Sequence, residues 1–179
     1  SGEPVARFAL VVDGVAHAAF DALGERLLAG DGRRLRGWRL GAGAEGALVV
    51  GRPGSGAISA ASAVGELFVL GRERGGLELW DPLLGLRLNW RTHESTVRAL
   101  AGAPDGSGFA SGGQDGSVAL WRLRGDAVAR LPRHVGEVSA LAFSPDGLQL
   151  AVSSEGPDLD ALELAEDSPL RAGLPGLPA

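Results

Sequence analysis

The sequence predicts an all-β fold built from four copies of one four-stranded unit. Three observations carry this. Gly24, Gly65, Gly106 and Gly147 are each 41 residues from the next, and His93 and His134 are also 41 apart. Short apolar runs alternate with Gly, Pro, Asp and Ser, the pattern of strands joined by tight turns. No stretch of about ten residues shows the i, i+3, i+4 spacing of an amphipathic helix.

The third copy shows the layout of the unit best. Val97–Ala101 alternates apolar and polar residues and stops at the turn Ala103-Pro104-Asp105-Gly106. A second run, Gly108–Ser111, stops at Gln114-Asp115-Gly116, and a third, Ser117–Leu123, contains Trp121. Asp-Gly marks a hairpin because the central positions of the tightest turns take positive φ. A fourth stretch links successive copies: Gly46–Val50, Leu86–Trp90 and Val128–Leu131. Innermost runs are expected at Val15–Ala19, Ala57–Ala61, Val97–Ala101 and Val138–Ala142. Trp38, Trp80 and Trp121 recur at spacings of 42 and 41, with Leu162 a further 41 on. The expected units are residues 4–40, 44–81, 85–123 and 126–164, and the Gly/Pro-rich residues 165–179 read as a tail or linker. The opening run Pro4–Leu10 reads as an outermost strand.

Four antiparallel strands per repeat of about 40–45 residues is the period of a β-propeller. Trp80-Asp81, the run from Ser111 to Trp121 and the turn Phe143-Ser144-Pro145-Asp146-Gly147 together resemble the WD-repeat (Trp-Asp repeat) family. The resemblance spans residues 4–164 and is clearest in the third copy. It implies a structural network in that copy: Asp115 pairs with His93, His93 with the Ser111 hydroxyl, and that hydroxyl with the Trp121 indole. His, Ser and Asp also invite a hydrolase reading, but no Gly-x-Ser-x-Gly turn surrounds Ser111. The other copies depart from the pattern. Arg52 stands at the His position of the second copy and Arg74 near its Asp position. The fourth copy keeps His134 and Ser153 but has Leu162 where Trp is expected.

Composition excludes several chemistries. There is no Cys, so neither disulfides nor thiolate metal sites can form. All 17 basic residues are Arg, which removes Schiff-base lysines and the phosphate-loop lysine. Glu155, Asp158, Asp160, Glu163, Glu166 and Asp167 concentrate the net charge of -5 near the C-terminus. The rest of the chain is nearly neutral, and no nucleic-acid partner is expected. No apolar run approaches the ~18 residues of a membrane span, so no membrane partner is expected and a cytoplasmic location is favoured. With no Met in the sequence, the chain reads as a piece of a longer polypeptide.

Other chemistry-like residues read as ordinary surface. His17 lies on an alternating strand, and Arg33, Arg34, Arg36 and Arg39 read as a solvated outer strand. Asp158 and Asp160 could share one strand face, but they read as a solvated acidic end and not a calcium site. No metal and no cofactor are expected. The expected function is a non-catalytic protein–protein interaction scaffold. The resemblance implies that partners dock on loops holding Arg52, Arg72, Glu73, Arg74, Glu94, Gln114 and Glu137. One alternative is a small-ligand-binding propeller, for which the innermost strands offer only His17, Ser59, Arg98 and Ser139. Another is a regulatory or sensor propeller domain of a larger enzyme. Four units leave closure open: part of a larger ring, a homodimer forming an eight-bladed ring, or a small closed ring.

Overall fold

The structure is a computed structural model that describes residues 16–21, 23–30, 32, 35–39, 48–50, 56–81, 85–123, 127–131, 134–156 and 159–164. Among these residues every regular element is a β-strand. The first sheet comprises β1 (His17–Phe20), β2 (Arg26–Gly30), β3 (Leu35–Arg39) and β4 (Leu48–Val50). The second comprises β5 (Ile58–Val64), β6 (Leu67–Arg72), β7 (Gly76–Asp81) and β8 (Gly85–Arg91). The third comprises β9 (Val97–Gly102), β10 (Gly108–Gly113), β11 (Val118–Arg122) and β12 (Ala127–Arg130). The fourth comprises β13 (Val138–Phe143), β14 (Gln149–Ser154) and β15 (Leu159–Glu163). In each sheet the strands lie side by side in chain order, and every pairing is antiparallel. Short connections between neighbouring strands allow no other order without a crossover. The described residues form an all-β array of propeller blades.

The period reappears as turn geometry. Gly24, Gly65, Gly106 and Gly147 all take positive φ, at 68, 56, 71 and 71°. Each closes the hairpin between the first and second strands of its sheet. Gly65 and Gly106 stack backbone to backbone across the junction of the second and third sheets. Asp105 and Asp146 hold their turns through their own carboxylates. Asp105 accepts from the Ser107 amide at 2.9 Å, and Asp146 accepts from the Leu148 amide at 3.0 Å. This is the Asx turn that makes Asp-Gly a hairpin signal.

The core lies between the sheets, not within any one of them. Leu28 of the first sheet packs with Ile58, Phe68 and Leu70 of the second. Val69, Leu77 and Leu79 of the second pack with Val97, Phe109 and Trp121 of the third. Ala99, Ala110 and Leu120 of the third pack with Val138, Leu150 and Val152 of the fourth. The innermost strands β1, β5, β9 and β13 are neighbours in that order. Phe109, fully buried, sits 6.2 Å from Trp90 and 6.3 Å from Trp121, ring centre to ring centre. Burying one such side chain contributes about 1.5–3 kcal/mol. Blade-on-blade packing is therefore the main source of stability, as in other repeat folds.

The run Pro4–Leu10 and the tail 165–179 lie outside the described residues.

Candidate functional site

The loops at one end of the sheets form a linked rim. They are the β6–β7 turn, the β8–β9 connection, the β10–β11 turn and the approach to β13. Backbone hydrogen bonds tie them together. The Glu73 amide donates to Ala57 O at 3.1 Å, Gln114 N to Thr96 O at 2.8 Å, and Glu155 N to Glu137 O at 3.2 Å. Thr96 Oγ1 donates to Glu73 O at 3.0 Å, so the rim of the second sheet is fastened to the third. Gly75 and Gly116, both at φ 75°, bring their turns against the carbonyls of His93 and His134, leaving no room for a Cβ. Only Gly meets both demands at these positions.

Beneath this rim, five side chains of the third sheet form one hydrogen-bonded chain. Trp121 Nε1 donates to Ser111 Oγ at 2.8 Å, and Ser111 Oγ lies 2.8 Å from His93 Nε2. His93 Nδ1 lies 2.7 Å from Ser117 Oγ, and the Ser117 hydroxyl donates to Asp115 Oδ1 at 2.6 Å. One proton assignment fills every link. Ser111 accepts from the indole and donates to Nε2; the neutral imidazole keeps its proton on Nδ1 and gives it to Ser117. Buried indole and imidazole nitrogens require such partners.

Ser117 is the member that sequence reasoning missed. His93 Nδ1 is 3.5 Å from Asp115 Oδ1, farther than from Ser117, so the serine hydroxyl stands between them. A signal was present, because in an Asp-Gly-Ser turn the carboxylate faces the residue two positions on. The Ser117 amide does donate to Asp115 Oδ1 at 3.1 Å, while the Glu94 amide donates to Oδ2 at 3.0 Å.

Burial is the largest influence on His93 and lowers its pKa against the pull of Asp115; Arg130 lowers it further. Burial would raise the Asp115 pKa, but hydrogen bonds from Ser117 and the Glu94 amide, with His93 adding to them, outweigh it and hold the carboxyl at about 2. Both shifts mean that the unfolded chain binds more protons, so stability rises with pH through each window. The contribution of neutral His93 is full above about 6.5 and falls as pH drops from there toward its lower folded value. That of Asp115 is full above about 3.9 and is lost as pH falls through about 2. Urea midpoints should therefore decline between about pH 7 and pH 5. His93→Gln should flatten that slope, and an unchanged slope would show that other groups set it.

The second sheet solves the same problem differently. Trp80 Nε1 donates to Glu78 Oε2 at 2.9 Å, where Trp121 uses a serine. Arg72 grips Glu78 through two bonds, Nε to Oε1 at 3.1 Å and Nη2 to Oε2 at 2.6 Å, and Nη1 donates to Gly56 O at 3.2 Å. Arg72 is 1% exposed and Glu78 5%. The expectation that Arg72 belongs to a partner-facing loop is therefore corrected. It ends strand β6, and its guanidinium turns inward to neutralise a buried carboxylate. Sequence reasoning missed Glu78, although its place two residues before Trp80 on one strand puts both on the same face.

Of the other expected loop residues, Glu73, Arg74, Glu94 and Gln114 are exposed on the rim. Glu137 is half-buried, and its Oε2 meets Arg98 Nη2 at 3.2 Å. With the Arg98 end exposed to solvent, the pair should contribute under about 1 kcal/mol, so Arg98→Ala should barely move the thermal midpoint. Arg52 lies outside the described residues. In the fourth sheet His134 Nδ1 meets Asp160 Oδ2 at 3.0 Å. That carboxylate comes from strand β15, not from a hairpin turn. The polar groups of the innermost strands are already engaged. His17 Nε2 donates to Ile58 O at 3.1 Å, Ser59 Oγ to Val97 O at 2.6 Å, and Ser139 Oγ to Ser153 Oγ at 3.0 Å.

The family model "WD domain, G-beta repeat" matches residues 86–122 and 125–156, which hold the third sheet and most of the fourth. Two adjacent segments of the chain, residues 86–122 and 125–156, thus carry WD repeats. It is 32% identical over 111 residues to Periodic tryptophan protein 2 homolog of Dictyostelium discoideum, covering 56% of this chain and 11% of that protein. It is 35% identical over 92 residues to Actin-interacting protein 1 of Drosophila melanogaster, covering 48% and 15%. With Actin-interacting protein 1-2 of Arabidopsis thaliana it shares 45% identity over 53 residues, covering 28% and 9%. The matches thus span only about a tenth of the length of these WD-repeat relatives.

Proposed function

We propose that this WD-repeat array is a non-catalytic platform for protein–protein contact, and that partners dock on the rim. One observation carries the reading. The groups that resemble a catalytic set, His93, Ser111 and Asp115, are tied into a structural chain, while the polar residues above them are exposed. Ser111 is wholly buried and bonded on both sides, so it has neither the access nor the free proton path that a nucleophile needs. The sheets fix the backbone of the rim, and its side chains are free to vary, which is how scaffolds carry binding sites.

The rim is polar and, among the described residues, more acidic than basic. Glu73, Glu94 and Glu155 are exposed there beside Arg74. A partner with basic and hydrogen-bonding groups fits it, and association should weaken with salt. The small-ligand alternative has less support, because His17, Ser59 and Ser139 already bond within the array and Arg98 pairs with Glu137.

The test is affinity capture with the wild-type chain and with the double variant Glu73→Arg, Glu94→Arg. Glu25→Arg is the control, an exposed residue on the β1–β2 turn at the opposite end. Partners should be lost with the rim variant and kept with the control. Equal capture by all three chains, each showing the same circular dichroism, would sink the assignment of the rim.

A further inference from the structure

Strand register lays the second and third sheets over one another at the 41-residue period. Leu70 pairs with Glu78 across β6 and β7 as Ser111 pairs with Ala119 across β10 and β11. Leu70 thus takes the place of the serine that serves Trp121, and it is fully buried. It has no hydroxyl to offer Trp80, so the indole donates to Glu78 instead. Arg72 falls at the place of Gly113. A Cβ at Gly113 would lie 2.6 Å from His93 Nδ1, so the space beside that position in the third sheet belongs to the imidazole. In the second sheet the Arg72 side chain starts from that place and is buried.

The two sheets therefore build the same link from opposite sides. His93 belongs to the β8–β9 connection, so its ring carries that loop into the blade. Arg72 ends β6, so its guanidinium reaches from the blade to the loop before β5. Nη1 donates to Gly56 O at 3.2 Å, while Nε and Nη2 hold Glu78. The next residue on each side adds a second pair of bonds. The Glu73 amide donates to Ala57 O at 3.1 Å, and the Ala57 amide donates to Glu73 Oε2 at 3.3 Å. From the third sheet, Thr96 Oγ1 holds the Glu73 carbonyl at 3.0 Å. The exposed Glu73 carboxylate is thus fixed through one oxygen, and Oε1 takes no part in these bonds.

We propose that Arg72 is the positioning residue of the second-sheet rim. Its bond to Gly56 holds the segment before β5, and that segment holds the Glu73 carboxylate ready for a basic side chain of a partner. The inference rests on the reading of the rim as the docking surface. A hydrogen bond from an ionised donor is stronger than a neutral one, and a carboxylate fixed before contact loses less freedom on binding. Removing the bond should therefore loosen Ala57 and Glu73 without unfolding the sheet, as long as the charge of Glu78 is matched or removed with it.

Amide hydrogen exchange on the folded chain tests it, because exchange reads local opening residue by residue. Arg72→Lys keeps a cation for Glu78 but lacks the fork that also reaches Gly56. Arg72→Met, Glu78→Leu removes both charges and the bond together, and it takes over if the lysine variant fails to fold. In either variant the Ala57 and Glu73 amides should exchange about tenfold faster or more, the equilibrium equivalent of one hydrogen bond to a charged group. The Gln114 and Glu155 amides, bonded on the rims of the third and fourth sheets, should keep their rates. Unchanged exchange at Ala57 and Glu73 overturns the proposal. So does a rise by the same factor at all four amides, which would make Arg72 a residue of general stability only. Failure of the rim reading looks different. There the two amides respond to Arg72, but the Glu73→Arg, Glu94→Arg variant captures the same partners as wild type; the positioning of Glu73 then stands and the docking surface lies elsewhere.

Discussion

Replacing Arg72 with Ala is expected to destabilise the chain by about 3–5 kcal/mol, the cost of taking one partner out of a buried ion pair. Glu78 is 5% exposed and receives both guanidinium bonds, and the Trp80 indole relies on it in turn. The loss should reach the rim as well, because Arg72 Nη1 also donates to the Gly56 carbonyl. Arg72→Lys should recover only part of the stability, since an ammonium cannot reproduce a two-bond fork in one plane. The double variant Arg72→Met, Glu78→Leu separates the charge from the shape. Apolar replacement of a buried pair is often close to neutral, so it should be clearly more stable than Arg72→Ala, short only of the indole bond of Trp80. Urea unfolding of the three variants measures this. If Arg72→Ala costs less than about 1 kcal/mol, the value of an exposed pair, the ion pair is not the buried element that the geometry describes.

Ser111→Ala is the second large effect. One hydroxyl serves two buried partners, the indole of Trp121 and Nε2 of His93. Its removal leaves a donor and an acceptor unsatisfied at about 1–3 kcal/mol each, so a loss of about 2–6 kcal/mol is expected. Trp121→Phe in the Ser111→Ala background removes the orphaned donor, so the two changes should cost less together than the sum of each alone. A double-mutant cycle on the denaturation midpoints reads that coupling. Strictly additive effects would show that the bond does not contribute to stability. Asp115→Ala belongs to the same network and should destabilise the fold without abolishing any chemical step. A well-folded variant that had lost a hydrolytic activity would overturn the structural reading of all five residues.

Much of this architecture was legible in the chain before any coordinates. The 41-residue period, the Asp-Gly turns and the alternating runs reflect local rules: positive φ at Gly, Asx turns at Asp, and the two-residue alternation of strands. Gly106 and Gly147 stand where the period puts them because their turns need that backbone wherever the sheet lies. The resemblance to WD repeats added His93, Ser111, Asp115 and Trp121 as a set, and these four do lie on one hydrogen-bonded chain.

Three features depended on packing between segments far apart in sequence. Arg72 looks like a loop cation, and only the fold of the second sheet turns it inward onto Glu78. Ser117 looks like turn filler, and only the approach of the β8–β9 connection puts the His93 ring against its hydroxyl. Asp160 looks like part of a solvated acidic run, yet strand β15 delivers it to His134. Local backbone preference acts within a few residues and is written into the sequence directly. The partner of a buried charge is settled by which strands pack face to face, and that is a property of the assembled sheets. The unit, its period and its turns follow from such local preferences; which polar side chains hold the blades together and which remain on the rim follows from how the sheets pack.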